Sequence, residues 1–477
     1  MSVIVIGAGM TGIAAGYYLR MNHIPYTILE AKSDLGGVWH SHRWHGARCD
    51  SDFIKYSFSF RPFLSDRCLQ SRSQIQAYLR DVAQEFGILE HIRLNTRVLK
   101  AVFDSPRQCW SVHTANGVFT AQFLINGNGY FGDEPYVPAF KDEARFKGEI
   151  IHTSHLDDQR KFPDKKVVLV GSGSTAICAA PELAAVAGSL VLLQRSPSYI
   201  YEISNDAGPL IRLCQNLYRR GLRTPVRWLR SYLQLRDDVI FLGFRRFPRL
   251  ARWFFRQHWR PAVGEQALRE HFNPRYNPWE QRIAVAIGLK EKLRSGAITM
   301  KTAEIERFTE LGIVLSTGET LRCDVCILAT GLNLRFFAFD LYLDNVRIAV
   351  ERINFYKGLL LGGIPNYFHP MGSWHSAWTQ RAEPLLRSAA RIMSHMRKHR
   401  LGAVNVPRQE LEVKPGITPN YVMRSLATMP RLQGTTDIPS IDNLFSDRFM
   451  PAGLRFAKAR SSGELGQALA PAAEMAK

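Results

Sequence analysis

Short apolar runs and a glycine-rich turn alternate over the first 30 residues of the chain. Residues 2–6 form a β-branched apolar run, residues 7–12 contain three glycines, and residues 13–19 are largely apolar. Residues 26–29 form a second apolar run that is followed by Glu30. This order predicts a strand, a glycine turn, a helix, a second strand and a terminal acid, which is the order that a dinucleotide-binding site requires.

The glycine spacing meets the physical demands of a bound pyrophosphate. Gly7 permits the tight turn, Gly9 lets the pyrophosphate approach the backbone, and Gly12 lets the helix pack close to the strand. Glu30 lies 18 residues past Gly12, where a carboxylate can accept hydrogen bonds from a ribose diol. The candidate cofactor contacts of this first unit are Gly7, Gly9, Met10, Thr11, Gly12 and Glu30.

The same pattern returns in the middle of the chain with a different ending. After a linker predicted at residues 155–166, a buried strand is predicted at 167–170, followed by a second glycine turn at 171–176. The next predicted strand, 189–193, leads to Arg195 where the first unit has its acid. A guanidinium beside a hydroxyl binds the 2′-phosphate that a carboxylate would repel, so this unit predicts NADP(H). Its candidate contacts are Gly171, Gly173, Ser174, Thr175, Arg195 and Ser196.

Two such units predict an α/β fold with two Rossmann-like domains that hold FAD and NADPH against each other. A later β region ends in small residues that favour close approach to a cofactor, among which Gly331 is a candidate contact. We expect residues 1–140 and 331–477 to form a discontinuous, glutathione-reductase-like FAD-binding domain. The NADPH-binding domain, residues 141–330, is expected to be inserted in it.

Charge is concentrated in one segment of the inserted part. The chain carries a net charge of +20, and residues 206–260 contribute +10 through thirteen arginines and three aspartates, with no lysine. This segment is predicted to belong to a basic helical subdomain at about residues 206–275. The subdomain is read either as a solvated cap or as a peripheral surface for anionic lipid, while nucleic acid is disfavoured because no nucleic-acid fold motif accompanies the charge. Four of its arginines share one predicted helix face at spacings of 3, 4 and 4: Arg249, Arg252, Arg256 and Arg260.

Cysteine usage and hydropathy favour a cytoplasmic protein. The seven cysteines are scattered and odd in number, which is typical of reduced thiols. Cys323 and Cys326 form a CxxC, but they read as two strand cysteines, so we predict neither a metal site nor a disulfide reductase. No 18-residue apolar span is present, and the N-terminal apolar run lacks the basic region of a signal peptide.

Further motifs between and after the glycine turns give the sequence a family resemblance. Together they resemble the class B flavoprotein monooxygenases, most closely the Baeyer–Villiger branch that includes the ethionamide-activating monooxygenases. The motifs that carry it are GGVW at 36–39, GARCD at 46–50, FxGxxxH at Phe146, Gly148 and His152, QRSP at 194–197, YNPWEQR at 276–282 and ATG at 329–331.

The resemblance implies a reaction. NADPH reduces FAD, the reduced flavin takes up O2 to form a C4a-peroxyflavin, and one oxygen atom is inserted into a hydrophobic ketone or transferred to a thioether. Arg282 matches the active-site arginine, and Asp50 matches the acid that orients it and contacts the cofactors. From the residues alone, Arg282 could instead be a surface arginine at the end of the helical cap, and Asp50 could pair with Arg48.

The same resemblance implies roles for further residues. Val38, Trp39 and Tyr56 match FAD-contacting positions, and Val98 matches a backbone contact on the adenine side. His152 is expected to couple NADPH binding to domain motion.

One departure from the family pattern leaves the reaction type open. Leu156 stands where the Baeyer–Villiger pattern has Trp and the flavin-containing monooxygenase pattern has an aromatic residue. An N- or S-oxygenating monooxygenase and an uncoupled NADPH oxidase or flavin reductase therefore remain alternatives.

The pocket is predicted to be apolar because aromatic residues are frequent in the loops expected to build it. These loops are residues 56–63, Trp279 and residues 374–378. The surrounding stretch, 340–381, is predicted to be irregular chain.

Overall fold

Two parallel-stranded sheets, each built on a strand–turn–helix–strand unit, organise the protein. The computed structural model describes residues 1–278, 280–372, 377–408, 420–433 and 454–458. Its helices are α1 (Met10–Met21), α2 (Val38–Ser41), α3 (Phe53–Tyr56), α4 (Arg72–Glu85), α5 (Ser174–Leu183), α6 (Pro209–Arg219), α7 (Thr224–Arg246), α8 (Pro248–His271), α9 (Leu289–Arg294), α10 (Thr379–Lys398) and α11 (Asn420–Ser425). Single 3-10 turns lie at Leu89–His91, Glu143–Arg145, Thr153–His155, Val350–Arg352 and Leu426–Thr428.

The strands are short and are distributed along the whole described chain. In chain order they are β1 (Val3–Ile6), β2 (Tyr26–Leu29), β3 (Ile92–Arg93), β4 (Val98–Asp104), β5 (Cys109–Thr114), β6 (Gly117–Ala121), β7 (Phe123–Asn126), β8 (Phe131–Pro135), β9 (Glu149–His152), β10 (Phe162–Val170), β11 (Ala187–Gln194), β12 (Ile200–Glu202), β13 (Ala284–Ala286), β14 (Ile298–Thr302), β15 (Ile305–Thr309), β16 (Gly312–Leu315), β17 (Thr320–Arg322), β18 (Val325–Leu328), β19 (Leu332–Leu334), β20 (Asp340–Leu343), β21 (Val346–Arg347), β22 (Asn354–Tyr356), β23 (Leu360–Leu361), β24 (Tyr367–Phe368), β25 (Leu401–Asn405), β26 (Arg431–Gln433) and β27 (Arg455–Lys458).

The first sheet joins strands from both ends of the sequence. Its order is β26-β22-β23-β24-β7-β1-β2-β3, and β7, β1, β2 and β3 run parallel. Every residue of β1 is buried, because Val3 and Val5 pack into the cluster that contains α1 while Ile4 and Ile6 pack on β4 and β5. Burial on both faces explains why this strand reads as a continuous apolar run rather than an alternating one.

The second sheet has the order β14-β11-β10-β18-β9, and all its neighbours are parallel. Val167 and Leu169 pack toward α5, whereas Val168 packs against Phe308 on β15. The predicted linker was too long, because β10 begins at Phe162, which pairs with Ala187 ahead of a register shift.

Smaller sheets complete the described architecture. Their orders are β21-β20-β4-β5-β6, β15-β16-β17, β12-β13, β8-β19 and β25-β27. The β8–β19 pair is antiparallel and joins the chain before the second sheet to the chain after it. The prediction that residues 340–381 are irregular is wrong, since β20 to β24 all lie within that stretch.

The basic segment is helical, as predicted. Helices α6, α7 and α8 cover most of residues 206–275, and α8 starts at Pro248, whose missing N–H costs nothing at the first helical position. Gly264 interrupts α8 with a φ of 73°, so the helix is kinked there.

Candidate active site

The first glycine turn forms a side-chain-free cradle at the carboxyl end of β1. Gly7 has a φ of 93°, and a Cβ added to Gly12 would lie 1.9 Å from the Gly7 carbonyl oxygen. Residues 36 and 37 close on the same turn, since a Cβ on Gly37 would lie 3.1 Å from the Gly9 Cα. Helix α1 begins directly after Gly9, so its free N–H groups face this cradle.

Glu30 is fixed beside the cradle. Its side chain is buried, and Oε2 accepts a hydrogen bond of 2.6 Å from the Ala8 N–H while Oε1 accepts one of 2.9 Å from the Lys32 N–H. A carboxylate has about four acceptor positions, so two backbone donors leave capacity for a ribose diol.

Aromatic side chains surround this cradle. The Trp39 indole donates a hydrogen bond of 3.0 Å to the Tyr56 hydroxyl, and the Trp378 indole donates one of 2.8 Å to Thr11 Oγ1. Val98 begins β4 with its side chain buried against the apolar cluster of Ile4 and Leu29, so its backbone is the part available to a ligand. A glycine cradle, an anchored acid and aromatic walls fit an FAD.

A second cradle lies at the carboxyl end of β10. Gly171 has a φ of 145°, and a Cβ on it would lie 2.6 Å from the Ala329 carbonyl oxygen. A Cβ on Gly173 would have no heavy atom within 4 Å, so the space in front of it is open where α5 begins with Ser174 and Thr175. Arg195 and Ser196 follow β11 and are exposed. This arrangement fits a dinucleotide with a 2′-phosphate.

Arg424 joins this second cradle from a distant part of the chain. Its guanidinium carbon lies 3.6 Å from the centroid of the Tyr136 ring, and its Nη2 is the nearest atom to a Cβ built on Gly331, at 3.7 Å. Burial and the neighbouring charge of Arg195 lower its pKa, with Tyr136 opposing them. Sequence reasoning missed Arg424, because nothing near it in the chain marks it as a nucleotide contact.

Asp50 and Arg282 form an ion pair with 2.6 Å between Oδ2 and Nη2. Arg48 instead pairs with Glu182 at 2.8 Å, so the alternative pairing of Asp50 with Arg48 is wrong. Asp50 is the main cause of the raised pKa of Arg282, and the Tyr130 and Tyr421 hydroxyls add to it. Arg282 is therefore a permanent, partly buried cation and not a solvated end of the helical cap.

His152 links β9 to the small-residue loop after β18. Its Nε2 lies 3.1 Å from the Gly331 carbonyl oxygen, and its Nδ1 accepts a hydrogen bond of 3.1 Å from the Ser154 N–H. These partners require the tautomer with a proton on Nε2, which donates to Gly331. Burial lowers the pKa of His152 to about 4, so the ring is neutral near pH 7.

Phe146, Gly148 and Leu156 have packing roles in the same linker motif. A Cβ on Gly148 would lie 2.4 Å from Phe146 Cζ, and the Phe146 ring meets the Phe308 ring edge-on at 5.4 Å. Leu156 is buried in the cluster that contains Phe162 and Leu169. The residue that departs from the family pattern therefore fills an apolar core position.

The predicted pocket is described only in part. Trp279 and residues 373–376, which include Trp374, lie outside the described residues. Within residues 56–63, Phe58 is fully buried, and Phe60 stacks on Tyr17 with ring centroids 3.6 Å apart. Phe58 therefore belongs to the core, and Phe60 is partly buried against it.

The two cysteines of the CxxC differ in their structural setting. Cys323 lies in the turn before β18 and only Cys326 lies in the strand, so the prediction of two strand cysteines is wrong for Cys323. Burial raises the pKa of both thiols. In the described part of the chain, no cluster of His, Cys, Asp or Glu could hold a metal ion.

Comparison with known proteins agrees with this geometry. A family model described as pyridine nucleotide-disulphide oxidoreductase matches residues 4–211. A steroid monooxygenase bound to NADP has the same fold, with a TM-score of 0.76 and 22% identity, covering 96% of this chain and 100% of that one. A complex of OTEMO with FAD and NADP gives a TM-score of 0.74 and 19% identity, covering 96% and 99%.

A relative of similar length connects the fold to a protein family. The FAD-containing monooxygenase EthA of Mycobacterium tuberculosis (strain ATCC 25618 / H37Rv) is 32% identical to this chain over 481 residues. The alignment covers 96% of this chain and 98% of EthA, far more than the partial family model covers. The resemblance predicted from the motifs is thus confirmed, and the chain belongs to the FAD-containing monooxygenases.

Proposed function

We propose that the protein is an FAD- and NADPH-dependent monooxygenase that inserts one oxygen atom into a hydrophobic ketone or oxidises a thioether. The observation that carries the proposal is the Asp50–Arg282 ion pair in a chain with two separate dinucleotide cradles. FAD, reduced by NADPH, supplies the electrons that activate O2.

The residues of the first cradle hold the FAD. The side-chain-free turn receives the pyrophosphate, Glu30 binds the ribose, and Trp39 and Tyr56 line the flavin side. Val38 and the Val98 backbone are further contacts. Residues 1–140 and 331–477 form this domain in our proposal.

The second cradle, in residues 141–330, holds NADPH. Gly171 and Gly173 receive the pyrophosphate at the start of α5, where Ser174 and Thr175 add donors. Arg195 and Ser196 bind the 2′-phosphate. The His152–Gly331 hydrogen bond connects this domain to the loop after β18, which supports its expected role in coupling nucleotide binding to domain motion.

Arg282 supplies a fixed positive charge at the site where oxygen is activated. A preoriented cation stabilises developing negative charge, because no solvent has to reorganise around it. Asp50 holds the guanidinium in place and is the further cofactor contact of our proposal.

The products of the reaction distinguish the proposed monooxygenase from an NADPH oxidase or flavin reductase. A coupled monooxygenase converts NADPH and O2 into an ester or sulfoxide, whereas an NADPH oxidase or flavin reductase releases peroxide. NADPH consumption with a panel of hydrophobic ketones and thioethers, read together with peroxide release, tests it. Oxygenated product in proportion to NADPH supports the proposal, and peroxide in that proportion contradicts it.

We also propose a cytoplasmic location and peripheral contact with an anionic membrane through residues 206–260. All seven cysteines are free thiols, which is typical of a reducing compartment. Among the described residues no helix is long and apolar enough to span a bilayer. The positive charge of α6, α7 and α8 favours anionic lipid, and no nucleic-acid partner is proposed.

A further inference from the structure

Helix α7 has two apolar faces, and one of them is exposed to solvent. The inner face is buried and includes Val226, Leu229 and Leu233. The outer stripe of α7 has residues spaced 4, 3, 4 and 3 apart, so they line one side of the helix. It consists of Trp228 (70% exposed), Tyr232 (45%), Leu235 (59%), Val239 (58%) and Leu242 (45%).

Exposed apolar residues are also frequent on the helices that precede and follow α7 in the chain. Of the 23 exposed large apolar residues in the described chain, 13 lie between Leu210 and Phe254. Scattered exposed apolar residues are normal, but such a concentration marks a binding surface. The eight members outside the outer stripe are Leu210, Leu213, Leu222, Ile240, Phe247, Leu250, Trp253 and Phe254.

The charge around the outer stripe is positive. Exposed arginines flank it in sequence on all three helices, and they include Arg219 on α6, Arg227 on α7 and Arg249 on α8. The arginine face predicted on α8 is less available, because Arg256 and Arg260 both pair with Glu265 and Arg252 contacts Asn277.

The acids of the segment do not offset this charge at the stripe. Asp206 pairs with Arg212 at 2.5 Å, Asp237 with Lys55 and Arg236, and Asp238 is buried. The surface therefore combines exposed aromatic and aliphatic groups with cations.

We propose that the outer stripe of α7 and the adjoining ends of α6 and α8 dock on an anionic lipid bilayer. Aromatic and aliphatic side chains with flanking arginines are the composition of helices that lie in the membrane interface. A second copy of this chain is disfavoured as the occupant, because a symmetric contact would bring arginines against arginines. This proposal rests on the peripheral membrane contact proposed above and assigns it to one surface.

Side-chain contacts on the inner face of α7 connect the docking surface to the candidate active site. Arg230 Nη1 donates a hydrogen bond of 2.6 Å to the Ile54 carbonyl oxygen, and Lys55 pairs with Asp237. Both contacts hold α3, which ends at Tyr56, a proposed FAD contact. Helices α7 and α3 thus connect the proposed bilayer surface to Tyr56, which suits a substrate that dissolves in lipid.

Co-sedimentation of the full-length, FAD-loaded chain with vesicles tests the proposal. The vesicles are phosphatidylcholine alone or phosphatidylcholine mixed with phosphatidylglycerol. The stripe variant carries Trp228→Ser, Leu235→Ser and Val239→Ser, all at exposed positions that leave the core intact. The matched control carries Leu99→Ser, Val118→Ser and Leu311→Ser, which are 54–63% exposed on other parts of the surface.

We expect wild type and control to sediment with the anionic vesicles and the stripe variant to bind roughly tenfold more weakly.

Equal binding by the stripe variant overturns the assignment of the surface while leaving membrane contact intact. Failure of wild type to bind either vesicle overturns membrane contact itself. Gel filtration that shows a dimer for wild type and a monomer for the stripe variant, without vesicle binding, assigns the surface to a second copy instead. FAD content and NADPH oxidation are read separately, so loss of enzyme function is not confused with any of these results.

Discussion

Asp50 and Arg282 are 232 residues apart in the chain, yet Oδ2 of one lies 2.6 Å from Nη2 of the other. Asp50 follows the loop that leaves the first sheet, whereas Arg282 precedes β13 in the inserted part. The ion pair therefore joins the segments that we assign to the FAD and NADPH domains.

Removing either partner is expected to uncouple the reaction. Asp50→Asn and Arg282→Gln should retain FAD but lose about 10²–10³-fold in product formation. The first variant loses the carboxylate that orients Arg282, and the second loses the preoriented charge itself. Product formation and peroxide release per NADPH measure this. Arg48→Gln is the matched control, since its partner is Glu182. Normal coupling in both variants would show that the pair is structural.

Arg195 and Arg424 are expected to share the phosphate groups of NADPH. Losing one charge-assisted hydrogen bond costs about 1.5–3 kcal/mol, so Arg195→Gln and Arg424→Gln should each raise KM for NADPH roughly 10- to 100-fold. KM for NADH should change little in Arg195→Gln, which separates 2′-phosphate recognition from general damage. Arg107→Gln, on an exposed turn, is the control. An unchanged KM in Arg424→Gln would exclude Arg424 from the nucleotide site.

The two glycine turns are expected to respond differently to alanine. Gly12→Ala places a Cβ 1.9 Å from the Gly7 carbonyl oxygen, so we expect loss of folded, FAD-containing protein. Gly173→Ala meets open space and should fold with full FAD content. It should still weaken NADPH binding, because the methyl group occupies the approach of the pyrophosphate. Flavin absorbance and KM for NADPH separate the two effects, and tight NADPH binding by Gly173→Ala would contradict the assigned site.

The buried ring of His152 is expected to make folding sensitive to acid. Its pKa falls from 6.5 in the unfolded chain to about 4, so between these values the unfolded state binds more protons and stability falls as pH falls. The full shift is equivalent to roughly 3 kcal/mol. Urea unfolding of wild type and His152→Gln between pH 7 and pH 4 measures the change in the free energy of unfolding. The variant should lose less stability over this window, and an equal loss would exclude His152 as the cause.

The sequence predicts the secondary-structure elements that depend only on neighbouring residues. The strand at residues 26–29 and the start of α1 at the glycine turn agree with the structure, because both depend on neighbouring residues. Strands β20 to β24 escaped prediction because they are only two to four residues long. In addition, β20 and β24 pair with β4 and β7, which lie far away in the chain.

The site is predictable only where a motif marks it. Glu30 and Arg195 stand at fixed distances from glycine turns, so their positions follow from the chain. Arg424 is placed by α11, far from Arg195 in sequence, and the partners of Arg48 and Asp50 are set by packing between distant segments. Tertiary contacts of this kind leave no local pattern.

Turnover under isotopically labelled O2 shows whether the protein transfers an oxygen atom to its substrate or releases peroxide. Purified protein with bound FAD is given NADPH and a hydrophobic ketone or thioether, and the products are weighed by mass spectrometry. We expect an ester or sulfoxide that carries a single labelled oxygen atom, formed in proportion to the NADPH consumed. Complete conversion of NADPH to labelled hydrogen peroxide, with every substrate returned unchanged, would contradict it.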